Sequence, residues 1–98
     1  MEKRKPHYVL TELKTLIASG KVSTTRTALA VAAALGFNFD EMVKVVMNLE
    51  SKDFYKSMTT HADHTAWQDV YHAQTTAGAV YLKLMVVENV LIVSFKEL

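Results

Sequence analysis

The sequence contains no cysteine. That one absence removes disulfide frameworks, thiol catalysis and cysteine-ligated zinc together. Glycine is nearly as scarce: Gly20, Gly36 and Gly78 are the three copies, and all stand near expected turns, so no glycine-rich loop exists to cradle a phosphate. No GxSxG or Ser-His-Asp spacing is evident. The longest apolar run, residues 28–35, is too short to span a bilayer, so no membrane partner is expected. Charge of one sign is also missing. Eleven Lys plus Arg face ten Asp plus Glu, for a formal net charge of +1; only clustering on one face would favour a nucleic acid. The opening Glu2-Lys3-Arg4-Lys5 leads into a stretch broken by Thr11, Glu12, Lys14 and Thr15. No export signal is read there, and the expected home is the cytoplasm.

What is present is ordinary for a globular protein: 98 residues, 50% hydrophobic and 21% charged, enough for one domain over 1–98 with one core. The first half reads as helical. Leu10, Leu13 and Ile17 recur at helical spacing with Leu16 beside them, and Gly20 is placed to end that helix. Thr24 or Thr25 can cap a second helix running to Leu35, which Gly36 stops. Asp40 can cap a third, in which Met42, Val45, Val46 and Leu49 share one face. Near residue 52 the period changes to that of strands, expected near 53–60, 67–73, 79–87 and 90–97. Short loops between them favour an antiparallel meander. The expectation is an α+β fold: three helices packed on one face of a mainly antiparallel sheet of about four strands, the other face left partly open.

The last two strands allow a register to be deduced. If Glu88-Asn89 is a two-residue hairpin loop, Val87 pairs with Val90, Lys83 with Ser94 and Tyr81 with Lys96. One face then carries Leu82, Leu84, Val86, Leu91, Val93 and Phe95, and belongs under the helices. The other carries Tyr81 opposite Lys96, with Lys83 one pair along. By itself that pairing reads as a solvated sheet face.

The stretch FYKSMTTHADHTAWQDVY, residues 54–71, mixes aromatics with Lys56, His61, Asp63, His64 and Gln68. Polar groups among aromatics are costly to bury without partners, so such a stretch faces a cleft or is a plain surface loop. His61 and His64 resemble half of a zinc site, but no second pair of ligands accompanies them, and no metal or other cofactor is expected. Lys56, Gln68, Tyr81 and Lys96 together suit a phosphate ester. Lysines stabilise charge developing on phosphoryl oxygens, a glutamine can orient the backbone or read a base edge, and a tyrosine can stack on a base or move a proton.

At this point the motifs carry a resemblance. MEKRKPH, the Thr24-Thr25-Arg26 helix start, DFYKSMTT, DHTAWQDVY, VYLK and VLIVSFKE make the chain similar over its whole length to the MqsR family of toxins from bacterial type II toxin–antitoxin systems. The resemblance implies a RelE-like fold and a metal-independent mRNA endonuclease that cuts at short GC-containing triplets, typically GCU. It implies an active site on Lys56, Gln68, Tyr81 and Lys96. It implies mRNA as substrate and a cognate antitoxin with zinc-binding and helix-turn-helix domains, so that operator DNA is met only through the antitoxin. Lys83, His72 and His7 are the further RNA-binding candidates, although Tyr71-His72-Ala73-Gln74 holds less arginine than the family leads one to expect. Two rival functions are a non-catalytic RNA-binding module and a pure antitoxin-binding domain.

Overall fold

In a computed structural model describing residues 1–98, each helix buries the stripe its spacing requires. Helix α1, Leu10–Ala18, buries Leu13 and Ile17 and is released by Gly20 at a left-handed φ of 81°. Helix α2, Arg26–Ala34, starts where the Thr25 hydroxyl accepts the Ala28 N–H at 3.1 Å. It buries only Ala28 and Ala32, side chains small enough to let its backbone lie close on the sheet. Helix α3, Phe39–Met47, buries Met42 and Val46. Its cap is Asn38, not the expected Asp40. Asn38 has Glu41 three residues on, and each side chain bonds the other's backbone N–H, at 2.9 and 3.0 Å. Asp40 instead sits in the first turn, where the helix dipole favours negative charge. No helix is long and apolar enough to cross a membrane.

The sheet has six strands, two more than the sequence leads one to expect. Strands β3 (Phe54–Thr59), β4 (Trp67–Thr75), β5 (Gly78–Val87) and β6 (Asn89–Glu97) form the expected antiparallel meander. Strand β1, Glu2–Lys3, adds antiparallel to β3, and β2, Val22–Thr24, adds parallel to β6, giving the order β1-β3-β4-β5-β6-β2 in a mixed sheet. Two- and three-residue strands are too short to show an alternating pattern. The helices cover one face. Leu13, Ile17, Ala32, Met42 and Val46 meet Tyr71, Leu82, Leu84, Ile92 and Phe95 in one core.

The β5–β6 register departs from expectation near its turn and rejoins it further along. Only Glu88, at a left-handed φ of 64°, separates the paired Val87 and Asn89. Val86 therefore faces Val90, and Leu84 faces Ile92. A bulge at Val93 then absorbs the offset, so that Lys83 faces Ser94 and Tyr81 faces Lys96 as deduced. The bulge changes which β6 side chains enter the core: Val90, Ile92 and Phe95 are buried, while Leu91 and Val93 are only half-buried. It is held from outside the sheet. The Thr25 hydroxyl donates to the Val93 carbonyl at 3.2 Å, and the Thr25 N–H donates to that of Ile92. One residue thus caps α2 and secures the bulge.

A second long-range device fixes the N-terminal arm. Asp69 on β4 is fully buried on the helix side. Its carboxylate accepts the N–H of His7 (3.1 Å), the N–H of Tyr8 (2.9 Å) and the Ser57 hydroxyl (2.6 Å), while the Tyr8 hydroxyl donates to the Trp67 carbonyl. Three donors offset the cost of taking a carboxylate out of water. Asp69→Ala should lower unfolding free energy by about 3 kcal/mol or more, since it strands three donors at roughly 1–3 kcal/mol each. Urea unfolding measures this, with hydrogen exchange at His7 and Tyr8; unchanged stability with both amides still protected would contradict the clamp.

Tyr71 is buried beside this clamp. Burial first, and then the Asp69 and Asp53 carboxylates, push its phenol from the usual 10.0 up to about 12. A raised phenol pKa means its contribution is complete below pH 10 and is lost as pH rises from there through about 12. Alkaline unfolding should therefore be steeper in the wild type than in Tyr71→Phe, and identical profiles would contradict this.

Candidate active site

Cross-strand partners point to the same side of a sheet, so the register sorts the candidates directly. Lys56, Val70, Lys83 and Ser94 make one row across β3, β4, β5 and β6, on the face away from the helices. His72, Tyr81 and Lys96 make the next row, about 6.6 Å along the strands. Val70 is fully buried yet lies outside the helix-side core, flanked by its partners Lys56 and Lys83. Their alkyl stems can cover it.

Tyr81 sits among cations. The Lys96 ammonium lies 4.8 Å from its ring centroid and that of Lys83 5.9 Å, within cation–π range. Partial burial, and then repulsion from Lys96 and Lys56, pull the Lys83 pKa below that of an ordinary lysine. Lys56 has the opposite perturbation. Its side chain, 19% exposed, donates to the half-exposed Glu2 carboxylate at 2.7 Å. That hydrogen bond raises the Lys56 pKa and lowers that of Glu2. Glu2 was not among the expected site residues. It arrives on β1, a strand too short to read from sequence, paired with Met58.

Gln68 shares the face but stands at its margin. It pairs with Met58, one row beyond Lys56, and its amide makes only a weak contact with the Met85 sulfur at 3.6 Å. Two rows, roughly 13 Å along the strands, separate it from Tyr81. His72 lies inside the patch, its ring 6.3 Å from that of Tyr81. His7 does not. It stacks on Trp67 at 5.4 Å and bonds the Lys3 ammonium. Trp67 shares the helix-side alternation of Asp69, so His7 is held on the opposite side of the sheet.

Tyr55 is the residue that alternation hides. Phe54 pairs with Tyr71 and Lys56 with Val70, so Tyr55 is an extra residue in a β3 bulge. Phe54 keeps its place against the core while both Tyr55 and Lys56 face outward; the Tyr55 ring lies 4.4 Å from that of His72. In the loop before β4, His61 and His64 are exposed, and no three metal-ligand side chains gather. Asp63 closes that loop by accepting the N–H and hydroxyl of Thr65 at 2.8 and 2.6 Å, bonds that hold its carboxyl below the usual range. A hollow of about 600 Å³ beside α3 gathers Glu41, Lys44, Asn48 and Gln74, and its acid is already spent on the α3 cap.

The open face therefore offers three ammoniums, two phenols (Tyr55 and Tyr81) and an imidazole, with a single carboxylate paired to Lys56. It suits an anion better than a cation. Because Glu2 is the first cause of the raised Lys56 pKa, Glu2→Gln should lower it. Titration of the Lys56 ammonium by NMR reads the shift, and an unmoved pKa would contradict the pairing in solution.

Residues 5–97 match the family model described as motility quorum-sensing regulator, toxin of MqsA. The curated mRNA interferase toxin MqsR of Escherichia coli (strain K12) is 56% identical over 97 residues, which cover 99% of either chain.

Proposed function

The chain belongs to the MqsR toxin family, and from that premise we propose that residues 1–98 form one toxin domain, RelE-like in fold, that cleaves mRNA at short GC-containing triplets such as GCU without a metal ion. The relative's name supplies the activity class. The observation that carries the reading to this chain is the convergence of Lys56, Lys83 and Lys96 around Tyr81 on a face the helices leave open.

In the proposed reaction the ribose 2′-oxygen attacks the adjacent phosphorus and the bond to the 5′-oxygen breaks. The products are a 2′,3′-cyclic phosphate and a 5′-hydroxyl. One group removes the 2′-proton and another delivers a proton to the leaving oxygen. Tyr81 is assigned one of those transfers, and the lysines stabilise the crowded phosphorane charge. A phosphate entering between the ammoniums relieves their mutual repulsion, so binding raises the Lys83 pKa again. It also competes with Glu2 for Lys56, which must release that carboxylate to engage RNA. Gln68, at the margin, holds the backbone or a base further along the strand. His72 and Lys83 extend the RNA contact, and His7 acts there only indirectly, through the arm that carries Glu2 and Arg4.

The family description names MqsA as the antitoxin of such toxins. We infer a cognate antitoxin here, with zinc-binding and helix-turn-helix domains, through which operator DNA is reached. The site of action is the cytoplasm, where mRNA is translated.

Lys56→Ala, Tyr81→Phe and Lys96→Ala should stay folded and lose on the order of 10²–10⁴-fold in cleavage rate, with a smaller loss for Gln68→Ala. Single-turnover cleavage of a GCU-containing RNA measures it. Full activity in the first three variants would overturn the assignment.

A further inference from the structure

We propose that Tyr55, stacked on His72 beneath Arg4, is a binding subsite for the base of a nucleotide next to the scissile phosphate. This rests on the nuclease reading above and extends it to a residue outside the four assigned to the reaction.

The β3 bulge creates the site. Without the extra residue, an outward-facing Tyr55 would leave Lys56 facing the helices; with it, both project from the open face. The cost is an aromatic side chain left 42% exposed, where stacking and not core packing is its use. Its ring lies 4.4 Å from that of His72 with the planes 24° apart. His72 in turn lies 6.3 Å from Tyr81. The three rings run across β3, β4 and β5 toward Lys96, which faces Tyr81.

Cations flank the same ring. The exposed Arg4 guanidinium is 5.4 Å from the Tyr55 centroid, and the Lys56 ammonium is 5.5 Å from it. An aromatic plane bordered by positive charge is the chemistry that holds an unpaired base and its phosphate. Arg4 is free to swing aside or to close over the base as a second planar surface. Every base has a π-face, so this subsite positions the strand and does not choose the triplet.

The test uses a short oligoribonucleotide carrying one GCU, and the same strand with an abasic ribose at each flanking position in turn. A 2′-deoxy version, blocked at the cleavage site, reports binding alone. Tyr55→Ala should weaken Kd for the blocked strand and raise KM about ten- to hundredfold, leaving kcat and the cleaved triplet unchanged. Tyr55→Phe, which keeps the ring, should match the wild type. One abasic position should cost the wild type the same factor and cost Tyr55→Ala nothing further. Wild-type Kd and KM in Tyr55→Ala, or abasic losses equal in both proteins, would overturn the subsite while the nuclease stands. A wild type that binds the blocked strand through Tyr55 but never cuts the unblocked one would overturn the nuclease reading instead.

Discussion

Everything on the open face depends on one constraint: the large side chains Tyr71, Leu82, Leu84, Ile92 and Phe95 of β4, β5 and β6 must turn toward the helices. Tyr71, Leu82, Leu84, Ile92 and Phe95 are buried almost completely, and burial of each large side chain contributes roughly 1.5–3 kcal/mol. A one-residue slip in any pairing would expose a whole row of them. Register is therefore set by the hidden face, and the exposed face inherits it. Tyr81 meets Lys96 because Leu82 meets Phe95.

Two bulges let the chain satisfy that constraint without a perfect repeat. At Val93 the bulge repairs a hairpin closed by the single residue Glu88, and Thr25 holds it by hydrogen bonding to the neighbouring carbonyls. At Tyr55 the bulge keeps Phe54 packed against the core and turns Lys56 outward. Each irregularity lies beside the cationic patch and decides which side chains reach it. The buried Asp69 plays a comparable part for the N-terminal arm. By holding residues 7 and 8 it sets the path along which Glu2 comes to Lys56 and Arg4 to the Tyr55 ring. That path links a core carboxylate to the charge balance of the open face: two ammoniums uncompensated, a third paired with Glu2.

Much of this was legible in the sequence, and most of the misses share a cause. The first and third helices follow from Leu13–Ile17 and Met42–Val46 at helical spacing, and the second from a threonine cap and the stop at Gly36. The four long strands follow from alternation; the Tyr81–Lys96 pair, deduced from a two-residue hairpin that the structure lacks, holds because the Val93 bulge absorbs the offset. What local pattern could not show was anything that depends on contact between distant segments. Strands β1 and β2 exist only because β3 and β6 offer them edges. Leu91 and Val93 were expected in the core and yield it to Val90 and Ile92, because the turn tightened to one residue. His7, a further RNA-binding candidate, is held on the far side of the sheet by Asp69 and Trp67. The Asn38 cap is the exception, a local signal readable from Glu41 three residues beyond it. The roles proposed for Lys56 and Gln68 rest on family resemblance, since a polar stretch among aromatics is equally consistent with a surface loop.

The central claim is that lysines and a tyrosine on an open sheet face cut RNA by attack of its own 2′-oxygen. The most direct test is to incubate the protein with a defined GCU-containing RNA in excess EDTA and identify the chemistry of the new ends. The account predicts discrete fragments bearing a 2′,3′-cyclic phosphate on one side of the cut and a 5′-hydroxyl on the other. Intact RNA, or fragments ending in a 3′-hydroxyl and a 5′-phosphate, would contradict it.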